Sequence, residues 1–203
     1  MVERQLRRRG IQDERVLAAL EQVPRELFVP EELRGLAYDD AALPIGSGQT
    51  ISQPYMVALI CELLELTGTE RVLDVGTGSG YQAAVLAELA ADVVTIERLP
   101  ELAVRAREAL AAAGYGRVEV HIGDGTLGVP ERAPYAAIAV AAAAPSVPEA
   151  LYAQLEPGGR LVVPVGGSWQ RLEVVVRTPE GPARQRSVSC RFVPLVGEQG
   201  YRE

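Results

Sequence analysis

Apolar positions recur at helical spacing near the amino terminus and then contract into short runs separated by helical stretches. Val16, Leu17, Leu20 and Val23 fall on one face of a helix that Asp13 is placed to cap, within an amino-terminal helical layer reaching to about residue 35. Over 36–55 the periodicity breaks. Gly46-Ser47-Gly48, Gln49-Thr50 and the prolines Pro44 and Pro54 deny this segment a continuous helix or a central strand, and long ordered loops in compact domains are disproportionately functional. A helix is predicted over 56–66, apolar at 56, 59, 60, 63 and 64, with a stop at Thr67-Gly68.

Beyond that stop, strand and helix alternate. Strands are expected over 71–75, 92–97, 118–122, 136–142 and 160–165, with helices opening after Gly80 and over 100–113 and 148–155. This order predicts an α/β fold, a Rossmann-like doubly wound sheet that is mostly parallel and covered by helices on both faces. After Gly166-Gly167 the helical pattern ceases. Segments 172–177 and 186–195, joined by Pro179-Glu180-Gly181-Pro182, predict an antiparallel carboxy-terminal edge. With neither repeat nor linker, a single domain is expected over 1–203. It comprises a helical layer and loop (1–66), an α/β core (67–166) and carboxy-terminal strands (167–203).

Composition narrows the function classes. Of 203 residues, 48% are hydrophobic and 23% charged, which is globular usage. The longest apolar run, 136–144, is mostly alanine and about half of the roughly 18 to 20 residues a membrane-spanning helix needs. The basic amino terminus leads into a polar amphipathic stretch, unlike a secretory signal, so a cytoplasmic protein with no membrane partner is expected. Twenty basic against 27 acidic residues give a net charge of −7, a field that repels polyphosphates and argues against nucleic acid as a partner. Arg7 to Arg9 form the one basic cluster, expected to be a solvated helix face pairing with Glu3 and Asp13. Cys61 and Cys190 lack metal spacing and are expected to be buried, unpaired core residues; no metal is expected.

The first strand of the alternating region ends in Asp74-Val75-Gly76-Thr77-Gly78-Ser79-Gly80 and runs into a helix, placing three glycines where backbone passes close to a ligand. The alternative is a tight strand-to-helix turn with no ligand. Glu97 closes the second strand, where a carboxylate accepts hydrogen bonds from both hydroxyls of a ribose. The GxGxG spacing is tighter than the GxGxxG dinucleotide fingerprint and suits S-adenosylmethionine better. Gly123-Asp124-Gly125 follows the third strand, and Asp124 is read as an adenine contact, with turn capping as the alternative.

Ile45-Gly46-Ser47-Gly48-Gln49-Thr50-Ile51-Ser52-Gln53-Pro54, Val72 through Tyr81 and Gly123-Asp124-Gly125-Thr126 resemble the protein-L-isoaspartate O-methyltransferase family. Pro157-Gly158-Gly159-Arg160-Leu161 and Phe192-Val193-Pro194-Leu195 fit it as well, so the likeness runs from about residue 6 to 196. The glycine loop is shared by many methyltransferases; Gln49 through Pro54 is the specific element. The resemblance implies a methyltransferase sheet and methyl transfer from S-adenosylmethionine to the free carboxylate of L-isoaspartyl residues in damaged proteins and peptides, a repair activity. It implies that Ser52 is the active-site serine and that Thr50 and Ile51 lie against the cofactor. The loop Gly76, Thr77, Gly78, Ser79 and Gly80 would hold the methionine end, Glu97 the ribose, and Asp124 with Gly125 the adenine. Pro54, Tyr55, Val193, Pro194 and Leu195 would lie along the substrate peptide. The chain departs from the family pattern at Ala136, where Asp is common, and at Tyr55, where some members have His.

The chemistry asks little of acid or base groups. A carboxylate with a reference pKa near 4 is already anionic at neutral pH, so alignment and water exclusion carry the rate. Ser52 is therefore expected to position one carboxylate oxygen, and the lone His121, inside a strand pattern, is expected to take no part. The competing readings are a methyltransferase acting on a small molecule or RNA, a cofactor-binding module without chemistry, and an NAD-dependent oxidoreductase. The last is opposed by the glycine spacing and by a chain that contains no lysine for a Tyr and Lys pair.

Overall fold

The computed structural model describes residues 1–202. The amino-terminal layer is helical but broken. A π-helical turn Val2–Leu6 and a 3-10 turn Arg7–Arg9 lead to α1 (Glu14–Gln22), then to 3-10 turns Arg25–Phe28 and Glu31–Leu36. Asp13 caps α1 as expected, its carboxylate accepting from the Arg15 and Val16 amides. Pro24 and Pro30, each just before a 3-10 turn, divide the layer.

The expected loop contains a small hairpin, β1 (Leu43–Gly46) and β2 (Gln49–Ile51), turned at Ser47 and Gly48, both with positive φ. The following helix, α2 (Pro54–Leu63), starts two residues before its periodicity does, because Pro54 occupies the first helical turn, where a missing N–H is harmless.

The main sheet has seven strands: β3 (Arg71–Val75), β4 (Asp92–Glu97), β5 (Glu119–Ile122), β6 (Tyr135–Val140), β7 (Leu155–Val165), β8 (Gln170–Thr178) and β9 (Gly181–Cys190). Their spatial order is β5-β4-β3-β6-β7-β8-β9; the first five are mutually parallel, and β8 and β9 are antiparallel. Helices α3 (Tyr81–Leu89), α4 (Pro100–Ala112) and α5 (Glu149–Ala153) connect the parallel strands. Successive residues of the central strands serve opposite cores. Val72, Val93 and Ala137 pack toward the amino-terminal layer, while Leu73, Val94 and Ile138 pack toward α5, so each strand reads as a continuous apolar run. Helix α3 is buried nearly all round because α1 covers the side that the sheet does not.

Several boundaries differ from expectation, the largest shifts being in β7 and β9, each of which starts five residues early. Strand β7 begins at Leu155, which pairs with Tyr135, and absorbs Pro157-Gly158-Gly159 at a register shift; there a Cβ at Gly159 would lie 2.9 Å from the Glu156 carbonyl oxygen and 3.1 Å from those of Tyr135 and Ala136. Strand β9 stops at Cys190, so Val193-Pro194-Leu195 is not its continuation. That segment crosses the end of β6 instead, with the Ala143 amide donating to Val193 O (2.8 Å) and the Leu195 amide to Ala143 O (2.7 Å). The arginine triplet also differs. Arg7 pairs with Glu3 and Glu14 and not with Asp13, while Arg9 reaches Asp40. Cys61 is buried as expected, whereas Cys190 is only partly so. Ala136 lies at the base of β6, remote from its carboxyl end.

Candidate active site

Winding runs outward from β3 to β5 and then returns to β6 on the other side, which opens a crevice beyond the carboxyl ends of β3 and β6. The chain crosses that crevice as a glycine loop. Gly76 (φ +91°) and Thr77 both donate their amides to Ile96 O at the end of β4, and Gly78 donates to Glu97 Oε2 at 2.9 Å. The Leu99 amide donates to Glu97 Oε1 at 3.0 Å, so the carboxylate is fixed at the cavity wall with a lone pair left on each oxygen. Ile51, Gly76, Gly78, Glu97, Gly125 and Ala142 are among the residues enclosing this cavity. At Gly125 the cavity floor has no room for a side chain, because a Cβ would come within 2.8 Å of Val75 Cγ1.

Beneath the loop, Asp74 is fully buried. Burial pushes its carboxyl up to about 6 and the nearby Glu97 charge adds to this, against hydrogen bonds from Gln82 Nε2 (2.8 Å) and Thr95 Oγ1 (2.9 Å). Gln82 lines the cavity, and its Oε1 is buried without a protein partner, a standing acceptor for a ligand N–H or O–H. A bare backbone loop, a fixed carboxylate and an unpartnered acceptor suit S-adenosylmethionine, with its amino-acid end and its ribose. Among the described residues no cluster of His, Cys, Asp or Glu is arranged to hold a metal ion.

A second, wider cleft lies on the outer side of β2. Tyr55, Met56, Phe192 and Trp169 contribute to its walls, and Arg9 stacks its guanidinium 3.6 Å from the Tyr55 ring centroid while pairing with Asp40. Four residues belong to both spaces: Thr50, Ser52, Ala141 and Val193. Ser52 is held from behind by Arg25, whose Nη2 donates to Ser52 O at 2.8 Å and whose Nε donates to Ala37 O at 2.7 Å. That guanidinium is fully buried and lies 4.6 Å from the Tyr81 ring centroid; burial lowers its pKa, yet an arginine stays charged.

The residues singled out from sequence divide accordingly. Ile51, Gly76, Thr77, Gly78, Ser79, Glu97 and Gly125 line the inner cavity, Thr50, Ser52 and Val193 line both spaces, and Tyr55 lines the cleft. Pro194 and Leu195, expected along the peptide, border the inner cavity instead, because their segment runs over the end of β6. Three lie outside both linings. Gly80 caps α3 at φ +91°, where a Cβ would meet Leu110 Cγ at 3.1 Å, so it serves the packing of α3 against α4. Pro54 is the buried first residue of α2.

Asp124 takes the turn-capping role, accepting from the Thr126 amide and hydroxyl, while its other oxygen accepts from the Glu198 amide at 2.8 Å. Burial alone would raise its carboxyl, but the Glu198 and Thr126 donors outweigh that and hold it below the usual range. Gln82, Ala141, Arg25, Arg9 and Trp169 were not anticipated. Only Gln82, two residues into the helix after the glycine loop, stood next to a motif.

Comparison with known proteins agrees with this geometry. Residues 1–200 match the family model described as protein-L-isoaspartate(D-aspartate) O-methyltransferase. Protein-L-isoaspartate O-methyltransferase 2 of Marinobacter nauticus is 58% identical, the match covering 99% of this chain and 93% of that one. The protein-L-isoaspartate O-methyltransferase of Methanoculleus marisnigri is 55% identical over 100% and 92% of the two chains. A solved protein-L-isoaspartate O-methyltransferase superposes with a TM-score of 0.86 at 30% identity, over 96% of this chain and 64% of that one. The Plasmodium falciparum structure of that description, in complex with S-adenosyl-L-homocysteine, gives 0.83 at 26% identity over 96% of both chains. On the extent of the family match and the identity of these relatives, the chain belongs to the protein-L-isoaspartate O-methyltransferase family.

Proposed function

We infer that this protein is a repair methyltransferase that transfers a methyl group from S-adenosylmethionine to the free carboxylate of L-isoaspartyl residues in proteins and peptides. The observation that carries this reading is the shared wall of Thr50, Ser52, Ala141 and Val193, where a cavity suited to the methyl donor meets a cleft open to a polypeptide. When bound, S-adenosylmethionine supplies an electrophilic methyl group. The chain's own residues have three tasks.

The glycine loop, Gln82 and Glu97 hold the donor, with Gly125 leaving room for the adenine and Asp124 supporting that turn from outside. Ser52 donates its hydroxyl to one oxygen of the acceptor carboxylate and fixes its direction, while Arg25 fixes Ser52. The apolar Ala141 and Val193 exclude water from the carboxylate, whose charge disperses as the ester forms, so that weak solvation favours reaction. No base is needed, because an ordinary carboxylate is ionised at neutral pH. The four shared residues include no titratable side chain, and His121, paired with Glu119 on β5, lines neither space.

Segments from all three parts of the chain line the site: Ser52 from 1–66, Glu97 from 67–166 and Val193 from 167–203. This supports its working as one domain. A net charge of −7 supports a protein or peptide substrate over a nucleic acid. Among the described residues no helix is long and apolar enough to cross a membrane, and neither cysteine is in a disulfide. We propose that the enzyme works in the cytoplasm without a membrane partner. The reading is tested by incubating the protein with methyl-labelled S-adenosylmethionine and a heat-aged protein acceptor. Label released by mild base supports a carboxyl ester, and base-stable label contradicts it.

A further inference from the structure

Trp169 is the single tryptophan of the chain and is 91% exposed, although an indole is ordinarily among the more deeply covered side chains. Its backbone is firmly held. The Gly166 amide donates to Ala144 O (3.0 Å), Gly166 O accepts from the Tyr201 hydroxyl (2.8 Å), and the turn is so tight that a Cβ at Gly166 would lie 2.1 Å from Trp169 O. On its other side, Gln170 clasps Phe192 twice, Nε2 donating to Phe192 O (3.1 Å) and Oε1 accepting from the Phe192 amide (2.6 Å). The fold thus fixes the main chain on both sides of an indole that it leaves uncovered, at the wall of the cleft that Ser52 and Tyr55 also line.

We propose that Trp169 is a specificity residue that covers an apolar side chain flanking the isoaspartyl residue of the bound peptide. The assignment rests on the isoaspartyl reading of the site. An extended peptide with its carboxylate at Ser52 runs through this cleft, whose walls include Met56, Val188 and Phe192 beside the indole. A rigid aromatic gives contact area at little entropic cost and grips an aliphatic or aromatic side chain of varied shape. The subsite therefore favours Leu, Phe or Val near the damaged residue over Ser or Gly, without demanding any one of them.

The test compares isoaspartyl peptides carrying Leu or Ser at each of the two positions on either side of the isoaspartyl residue. For wild-type enzyme, one Leu position lowers KM relative to Ser. Trp169→Ala raises KM for that Leu peptide about 10-fold with kcat kept, leaves the Ser peptide within about 2-fold, and Trp169→Phe restores most of the loss. With S-adenosylhomocysteine in place of the donor, indole emission shifts to the blue on addition of the Leu peptide and not of the Ser peptide. An unchanged KM pattern in Trp169→Ala overturns the assignment while leaving the isoaspartyl reading intact. No methylation of any of these peptides by wild-type enzyme overturns that reading and the assignment with it. A blue shift that grows with protein concentration in the absence of peptide also overturns the assignment, since the indole would then be covered by a second copy of the chain.

Discussion

Arg25→Met removes the guanidinium behind the active-site loop while keeping an apolar stem of similar reach. Two carbonyl oxygens lose their charged donor, Ala37 O in a buried bond and Ser52 O in a partly buried one. Each unsatisfied buried acceptor costs about 1 to 3 kcal/mol, and the lost contact with the Tyr81 ring adds about 1 to 2. Against this, the wild-type protein bears the desolvation of a buried cation whose Nη1 has no partner, and removing it returns several kcal/mol. The hydrogen-bond and ring terms exceed the relief, leaving a net loss of about 2 to 3 kcal/mol. For a chain of this length that lowers Tm by about 4 to 12 °C.

The kinetic effect has a separate origin. With Ser52 O released, the Ser52 hydroxyl loses its fixed direction, and kcat falls about 10- to 100-fold while cofactor affinity stays within about 2-fold. Arg25→Lys should do no better than Met, because one ammonium cannot present the fork that reaches both carbonyls. Thermal unfolding and steady-state methylation, measured on the same preparations, decide the matter. A kcat equal to wild type at a temperature where the variant is fully folded would refute the positioning role, and an unchanged Tm as well would refute the energetic argument.

Ser52→Ala removes a hydrogen bond to a charged acceptor and should lower kcat about 10- to 100-fold with S-adenosylhomocysteine affinity, read by calorimetry, nearly unchanged. Glu97→Gln keeps the shape of the side chain but removes the charge that accepts from a ribose and sets an NH2 against the Gly78 or Leu99 amide, so it should weaken that same affinity about 10-fold or more and also lower Tm. Asp74, raised from 3.8 to about 6, stays protonated in the folded state after the unfolded chain has released its proton. Its favourable contribution is therefore complete below about pH 4 and is lost as pH rises toward 6, a change of about 3 kcal/mol. Asp74→Asn should gain stability relative to wild type as the pH is raised from 4 to 7, and parallel Tm curves for the two proteins would contradict this.

The parallel core was legible because its central strands are buried on both faces and so stand out as apolar runs between helices, whereas β5 at the sheet edge is only half-buried; strands β3 and β4 have the limits that the pattern implied. The hairpin over 43–51 was not, since two strands of three or four residues leave too short an alternation to read, and its turn depends on the positive φ of Ser47, which composition does not announce. The end of β9 was misread because Phe192-Val193-Pro194-Leu195 is apolar for another reason, namely its passage over the carboxyl end of β6. The donor half of the site was readable from glycines and a carboxylate at fixed spacing. The peptide half rests on residues brought together only by folding. Arg9 looks like surface charge and Trp169 like a core residue, and Arg25 is a charged side chain, for which the default is exposure.

The central claim is that the cleft presents an isoaspartyl carboxylate, and not an ordinary side-chain carboxylate, to the donor cavity at Ser52. It is tested by methyl-labelled S-adenosylmethionine and two peptides of one sequence that differ only in an aspartyl or isoaspartyl linkage. The account predicts base-labile label on the isoaspartyl peptide alone, followed by the appearance of the normal aspartyl peptide as the ester is lost through a succinimide. Equal labelling of both peptides, or of neither, would contradict it.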